Sequence, residues 1–179
     1  MIPNNSIFIN QDSFNTEYYT PAYIIERVRS VLGEIDLDPA SSVIANRTVK
    51  AKRFFSEEDN GLSKEWTGKV WMNHPFNKAE NKTWITKLCY HYAVKDITEG
   101  CCITYASTSE AWFQPLLYFP QCFISKRVNY VLPSGDVKKG ATKGSVVTYL
   151  GKNLLGFYEQ FNDLGTVKVS LGYMQDLKE

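Results

Sequence analysis

No pair of cysteines at CxxC spacing, no apolar run of about 18 residues, no internal repeat and no excess of either charge sign occurs in this chain of 179 residues. Each absence removes a class. Cys89, Cys101, Cys102 and Cys122 lack metal-ligand spacing, and Cys101 and Cys102 would face opposite sides of a strand. They are expected to be small buried hydrophobes in a reducing compartment, with no metal bound. Without a long apolar stretch, nothing is expected to span a membrane. The polar start from Met1 to Asn15 lacks the basic-then-apolar layout of a secretory leader, which suits a cytoplasmic protein. Lys and Arg number 20 against 19 Asp and Glu, a net charge of +1. That balance excludes a nucleic-acid binder acting through overall charge, so any such contact must be local.

What is present is core material, with 44% hydrophobic and 14% aromatic residues. That suits one globular domain over residues 18–179 behind a polar arm at 1–17. Thr20-Pro21 reads as a helix start, with the hydroxyl as cap, and Ile24, Ile25, Val28 and Val31/Leu32 recur at helical spacing until Gly33. A short strand over Ile35–Asp38 stops at Pro39, and one or two helical turns follow over 41–46. Further strands are expected at 69–73, 100–105, 121–125, 128–132, 146–150 and 166–171, with helices at 79–97, 109–117 and 154–164. Pro133–Gly144, with Lys138, Lys139 and Lys143, reads as a mobile basic loop. Alternating strands and helices predict a three-layer α/β sheet with its ligands beyond the carboxyl ends of the strands.

Trp71-Met72-Asn73-His74-Pro75-Phe76 falls where a strand should end. It sets an amide, a carbonyl stiffened by the following proline, and an aromatic ring in succession. Such a grip suits a planar nitrogen heterocycle. The Asn73 side-chain oxygen and the His74 backbone oxygen would accept the two hydrogens of an exocyclic amino group while Phe76 stacks on the ring. The plain alternative is a strand end, with Asn73 capping a turn and Phe76 in the core.

The order of Tyr19-Thr20-Pro21, Ile35-Asp36-Leu37-Asp38-Pro39-Ala40-Ser41, Asp59-Asn60-Gly61-Leu62 with Trp66, and Val70 through Phe76 resembles the phage-type N-6-adenine DNA methyltransferase family. Trp112-Phe113, Arg127 and Gly144-Ser145 fit its C-terminal blocks. The resemblance spans roughly residues 18–165 and implies a compact class I methyltransferase domain, a Rossmann-like three-layer sheet flanked by helices, with S-adenosylmethionine as cofactor. Two departures stand out. The family's Asn-Pro-Pro-Tyr or Asp-Pro-Pro-Tyr block is Asn-His-Pro-Phe here, where His74 keeps the backbone oxygen and Phe76 the stacking face. Asp-Pro-Ala-Ser replaces the glycine-rich cofactor loop of most class I methyltransferases, as the resembling family also has it.

The resemblance implies roles for particular residues. Asn73, His74, Pro75 and Phe76 form the catalytic block. Thr20, Pro21, Asp36, Asp38, Pro39, Ala40, Ser41 and Asp59 are the cofactor candidates. Of the two strand acids only one is expected to meet the cofactor's ammonium or ribose directly, and Asp38 is the choice. Thr20 and the first turn of its helix suit the carboxylate, and Asp59 the adenine amino group. Arg47, Lys50, Lys52, Arg53, Arg127, Lys138, Lys139 and Lys143 would meet phosphates of a duplex whose target adenine is flipped out. A role in protecting phage DNA from restriction follows only from the resemblance. Two other readings stay open at this point: a non-catalytic DNA-binding or decoy protein on the same fold, and an adenine methyltransferase acting on RNA. A homodimer is equally compatible with the chain.

Overall fold

The computed structural model describes residues 17–76, 79–139 and 141–178. All but the last residue of the polar arm at 1–17 lies outside them. The elements in chain order are α1 (Ala22–Leu32), β1 (Leu37–Asp38), α2 (Val43–Val49), β2 (Arg53–Phe54), β3 (Gly68–Met72), α3 (Asn81–Ala93), β4 (Ile97–Tyr105), β5 (Gln121–Ile124), β6 (Tyr130–Val131), β7 (Val137–Lys138), β8 (Ser145–Leu150), α4 (Leu154–Phe161), β9 (Gly165–Lys168) and α5 (Leu171–Asp176).

Seven strands form one sheet in the order β2-β1-β3-β4-β8-β5-β9. The first four run parallel, and β8 is antiparallel to both β4 and β5. The sheet is buried on both faces, because alternate side chains of its central strands enter different cores. Trp71, Cys101, Ile103 and Tyr149 pack under α1 and α4, whereas Val70, Met72, Cys102 and Val146 pack under α3. Cys101 and Cys102 thus part to opposite sides as small buried hydrophobes, and Cys122 is buried with them. This is the expected Rossmann-like sheet flanked by helices.

Several local expectations need correction. Thr20 does not cap α1: Pro21 occupies that position without a side-chain bond, and the Thr20 hydroxyl is buried with no partner. The helical turns after β1 extend to Val49, capped by Ser42, whose oxygen accepts from the Ala45 N–H. The expected helix at 109–117 is a 3-10 turn over Gln114–Tyr118, and the chain ends in α5 rather than in strand. Pro133–Gly144 is not simply a loop, since Val137–Lys138 pairs with Tyr130–Val131 as a hairpin.

Chain order fixes where a ligand can sit. From β1 the chain crosses to β2 on one side and then to β3 on the other, which opens a crevice beyond the carboxyl ends of β1 and β3. Asp38 ends one of these strands and Asn73 follows the other.

Candidate active site

A cavity of about 470 Å³ occupies that crevice, within the roughly 300–1,000 Å³ usual for small-molecule sites. Its walls come from the segment before α1 (Glu17–Thr20), the turn after β1 (Asp38–Ser41), the loop after β2 (Ser56, Glu57, Asn60, Gly61, Leu62) and the turn after β3 (Asn73–Phe76). Glu80 and Trp84 close it from the start of α3. Gly61 explains how the third wall comes so close. A Cβ there would lie 1.9 Å from the Pro39 carbonyl oxygen, so only glycine admits this approach.

The polar groups suit a cationic, hydrogen-bonding ligand. Among the described residues, every charged residue of the lining is acidic: Glu17, Asp38, Glu57 and Glu80. Asp38 is only 2% exposed. Burial pushes its carboxyl up to about 7, against the pull of the Ser41 hydroxyl and the Ala40 N–H. The Ala40 N–H donates to Asp38 Oδ1 at 3.3 Å, while the Ser41 hydroxyl lies near without hydrogen-bond geometry. Thr20 Oγ1, Ser41 Oγ, His74 Nδ1 and Trp84 Nε1, all in residues of the cavity wall, are buried and lack partners. Unpaired polar atoms gathered around one cavity fit a ligand that supplies the missing bonds.

Asn73 is oriented by main chain. Its Nδ2 donates to the Tyr18 carbonyl at 2.6 Å, which leaves Oδ1 as an acceptor. The His74 imidazole is turned away from this amide to Asn81, with Nε2 at 3.0 Å from Asn81 Oδ1, and stacks on Trp84. An amide oxygen only accepts, so Nε2 carries the proton and Nδ1 the lone pair. Burial lowers His74 to about 4, with the Asn81 contact opposing it, so the ring is neutral at physiological pH. Phe76 borders the cavity with its ring 4.3 Å from that of Tyr105.

A family model described as DNA N-6-adenine-methyltransferase (Dam) matches residues 10–162. The chain belongs to the DNA N-6-adenine-methyltransferase (Dam) family. No curated protein matches the chain. Membership makes this an adenine-specific DNA methyltransferase, with DNA as substrate and N6-methyladenine as product.

The other candidates in this Dam-family chain fall into separate places. Asp36 does not reach the cavity. It accepts from the Lys69 N–H and pairs with Lys52 at 2.9 Å. Two residues apart on a regular strand, Asp36 and Asp38 would share a side. Ile35 and Leu37 pack into opposite cores, however, so the chain is irregular just before β1 and the two acids separate. Asp59 is likewise turned from the cavity, because Oδ2 accepts from the Ser56 N–H and hydroxyl at 2.9 and 2.8 Å in an exposed turn. Those bonds hold its carboxyl below the usual range. Pro39, Ala40 and Ser41 line the cavity, while Pro21 stands just outside it at the head of α1.

The basic clusters also divide. Lys52 and Arg53 donate their N–H groups to Ile35 and Asp36, level with the amino end of β1 and away from the cavity edge. Lys52 is tied to Glu34 and Asp36, Arg53 bonds Thr67, and Arg47 and Lys50 flank the carboxyl end of α2, where Val49 between them lines the cavity. By contrast, Lys126-Arg127 follows the carboxyl end of β5, and Lys143 precedes antiparallel β8, so both lie on the Asn73 edge. Lys143 Nζ is 5.7 Å from the Tyr105 ring that backs Phe76.

Sequence reasoning missed the Tyr18 carbonyl, the Asn81 partner of His74 and the place of Trp84 at the cavity. The first two depend on tertiary contacts that no local pattern encodes. Trp84 read as core, and at 6% exposed it is core as well as wall.

Proposed function

We propose that the protein transfers a methyl group from S-adenosylmethionine directly to N6 of an adenine flipped out of duplex DNA. The orientation of Asn73 carries this reading. Its amide nitrogen is occupied by the Tyr18 carbonyl and the residue lines the cavity, which supports Oδ1 as the acceptor offered to a target amino group.

When bound, S-adenosylmethionine supplies an electrophilic methyl group on a sulfonium. Asp38 would hold its ammonium or ribose. The Thr20 hydroxyl and the Ala22 and Tyr23 N–H groups would hold its carboxylate, since the first bonds to the Pro21 carbonyl come only from Ile24 and Ile25. The acidic lining favours the ligand's positive charge. Asp59 would reach the adenine amino group only by giving up its bonds to Ser56.

The target nitrogen is a poor nucleophile because its lone pair is delocalised into the ring. Asn73 Oδ1 and the His74 carbonyl accept its two hydrogens, drawing it toward a tetrahedral shape with the lone pair facing the cavity. Neither group is a strong base, and none is needed, because the methylated nitrogen sheds its proton readily to water. Phe76 stacks on the flipped base, offsetting an extrusion cost of a few kcal/mol.

DNA would approach across Lys126, Arg127, Lys138, Lys139 and Lys143. Arg127→Ala and Lys143→Ala are each expected to weaken duplex binding and to reduce the slope of log K against log salt by about 0.9 per lost phosphate contact. Lys52→Ala, on the far edge, is expected to leave that slope unchanged in a fluorescence anisotropy titration. Incorporation of labelled methyl from S-adenosylmethionine into duplex DNA tests the reading as a whole, and no incorporation would overturn it.

A further inference from the structure

Three features meet in Glu17–Tyr19. All three residues line the cavity. The Tyr18 carbonyl accepts from Asn73 Nδ2 at 2.6 Å. Tyr19 is bridged to β6, its N–H donating to the Val131 carbonyl at 2.8 Å and its carbonyl accepting from the Val131 N–H at 2.9 Å. Side chains reinforce the link, because the Tyr18 and Tyr130 rings lie 6.1 Å apart and Tyr130 also meets Phe76 edge-on. The Ser42 hydroxyl donates to the Tyr19 hydroxyl at 2.9 Å, which in turn donates to Glu17, so the same segment is anchored at the head of α2. Val131 pairs with Val137 in the hairpin that ends at Lys138.

We infer that the Tyr18 carbonyl is a positioning group for Asn73, and that Glu17–Tyr19 is a strap through which DNA on the β6–β7 hairpin fixes the catalytic amide. This rests on the reading that the basic edge meets DNA and that Asn73 acts on the target nitrogen. A glutamine or asparagine amide is free to turn about its terminal torsion, and Oδ1 faces the target only while Nδ2 has a fixed acceptor. The main-chain position of Tyr18 supplies that acceptor, and the two bonds to Val131 carry its position to the hairpin. A duplex pressing on Lys138 and Lys139 thereby holds the amide in its accepting orientation, and the hairpin left free lets the strap drift.

Hydrogen exchange on the wild-type protein, with and without duplex DNA and with no cofactor, tests this directly. The Tyr19 and Val131 amides are expected to slow at least roughly fivefold together with the hairpin, as protected local openings do. A slowed hairpin with unchanged exchange at Tyr19 would overturn the inference and leave the DNA-facing edge intact. An unchanged hairpin in a confirmed DNA complex would overturn the DNA-facing edge itself, and the strap with it. Val131→Pro, which removes the N–H bonded to Tyr19, should lower kcat at saturating substrates roughly ten- to a hundredfold. Calorimetric affinity for S-adenosylhomocysteine without DNA should stay within about twofold of wild type, which loss of folding would not allow. Val131→Ala keeps the N–H and is the comparison, and equal kcat in the two variants would contradict the strap. In the Asn73→Asp background, which already lacks the Nδ2 donor, Val131→Pro should add nothing further, and additive losses would place Tyr18 outside the pathway.

Discussion

Asn73→Ala is expected to lower methyl transfer by at least about a hundredfold, the scale seen when a single preorganised group that senses transition-state charge is removed. The substitution deletes the acceptor for one of the two amino hydrogens and leaves the His74 carbonyl to act alone, so the target nitrogen stays planar and its lone pair delocalised. The fold should tolerate it. Asn73 is only half-buried, and among the described residues its side chain bonds the Tyr18 carbonyl alone, so the loss should be about 1 kcal/mol. Thermal melts alongside labelled-methyl assays separate the two effects. A variant that keeps more than a tenth of wild-type turnover would contradict the role given to this amide.

Asp38→Asn is expected to pull stability and binding in opposite directions. The Asp38 carboxyl is raised from 3.8 to about 7 by burial. In the unfolded chain it ionises near 3.8, so folding at higher pH must either protonate it or bury its charge. The penalty is absent below pH 4, grows up to pH 7 and is constant above, reaching on the order of 4 kcal/mol. Asparagine escapes it and still accepts from the Ala40 N–H. The variant should therefore be more stable than wild type in urea at pH 8, with a much smaller gain at pH 5. His74 contributes the opposite slope. Its value of about 4 lies below the unfolded 6.5, so it costs stability as pH falls through that interval, and Asp38→Asn should expose this dependence.

Cofactor binding should move the other way. A ligand ammonium favours ionised Asp38, so wild-type affinity is expected to rise between pH 5.5 and 7.5 and then level off. Asp38→Asn should lose about a hundredfold in affinity, the cost of removing one partner of a desolvated charge pair. Calorimetry across that pH range measures both. A pH-independent affinity, or a variant that binds like wild type, would contradict the position assigned to Asp38.

The helical spacing from Ile24 to Leu32, the alternation of Val70, Trp71 and Met72, and the proline after Asp38 carried enough information to place the sheet and the edge where the site lies. These are local patterns, and burial on both faces enforces them. Asp36 shows where local reading stops, because an irregular step at Ile35–Leu37 gives it to Lys52 and Lys69 on the wrong edge. Asp59 shows the same for a turn, since the nearby Ser56 takes its carboxylate. The basic residues could be counted from the sequence, but only strand direction decides which of them share an edge with Asn73. Tyr18 was invisible because its contribution is a carbonyl that every residue possesses.

The central claim is that Asn73, at the mouth of the β1–β3 crevice, directs methyl transfer to adenine N6 in DNA. Nucleoside mass spectrometry of duplex DNA treated with the purified protein and S-adenosylmethionine tests it most directly. The expected result is N6-methyldeoxyadenosine with wild type and at most about a hundredth of that amount with Asn73→Ala. Methylation on another base or position, or equal N6-methyladenine from both proteins, would contradict it.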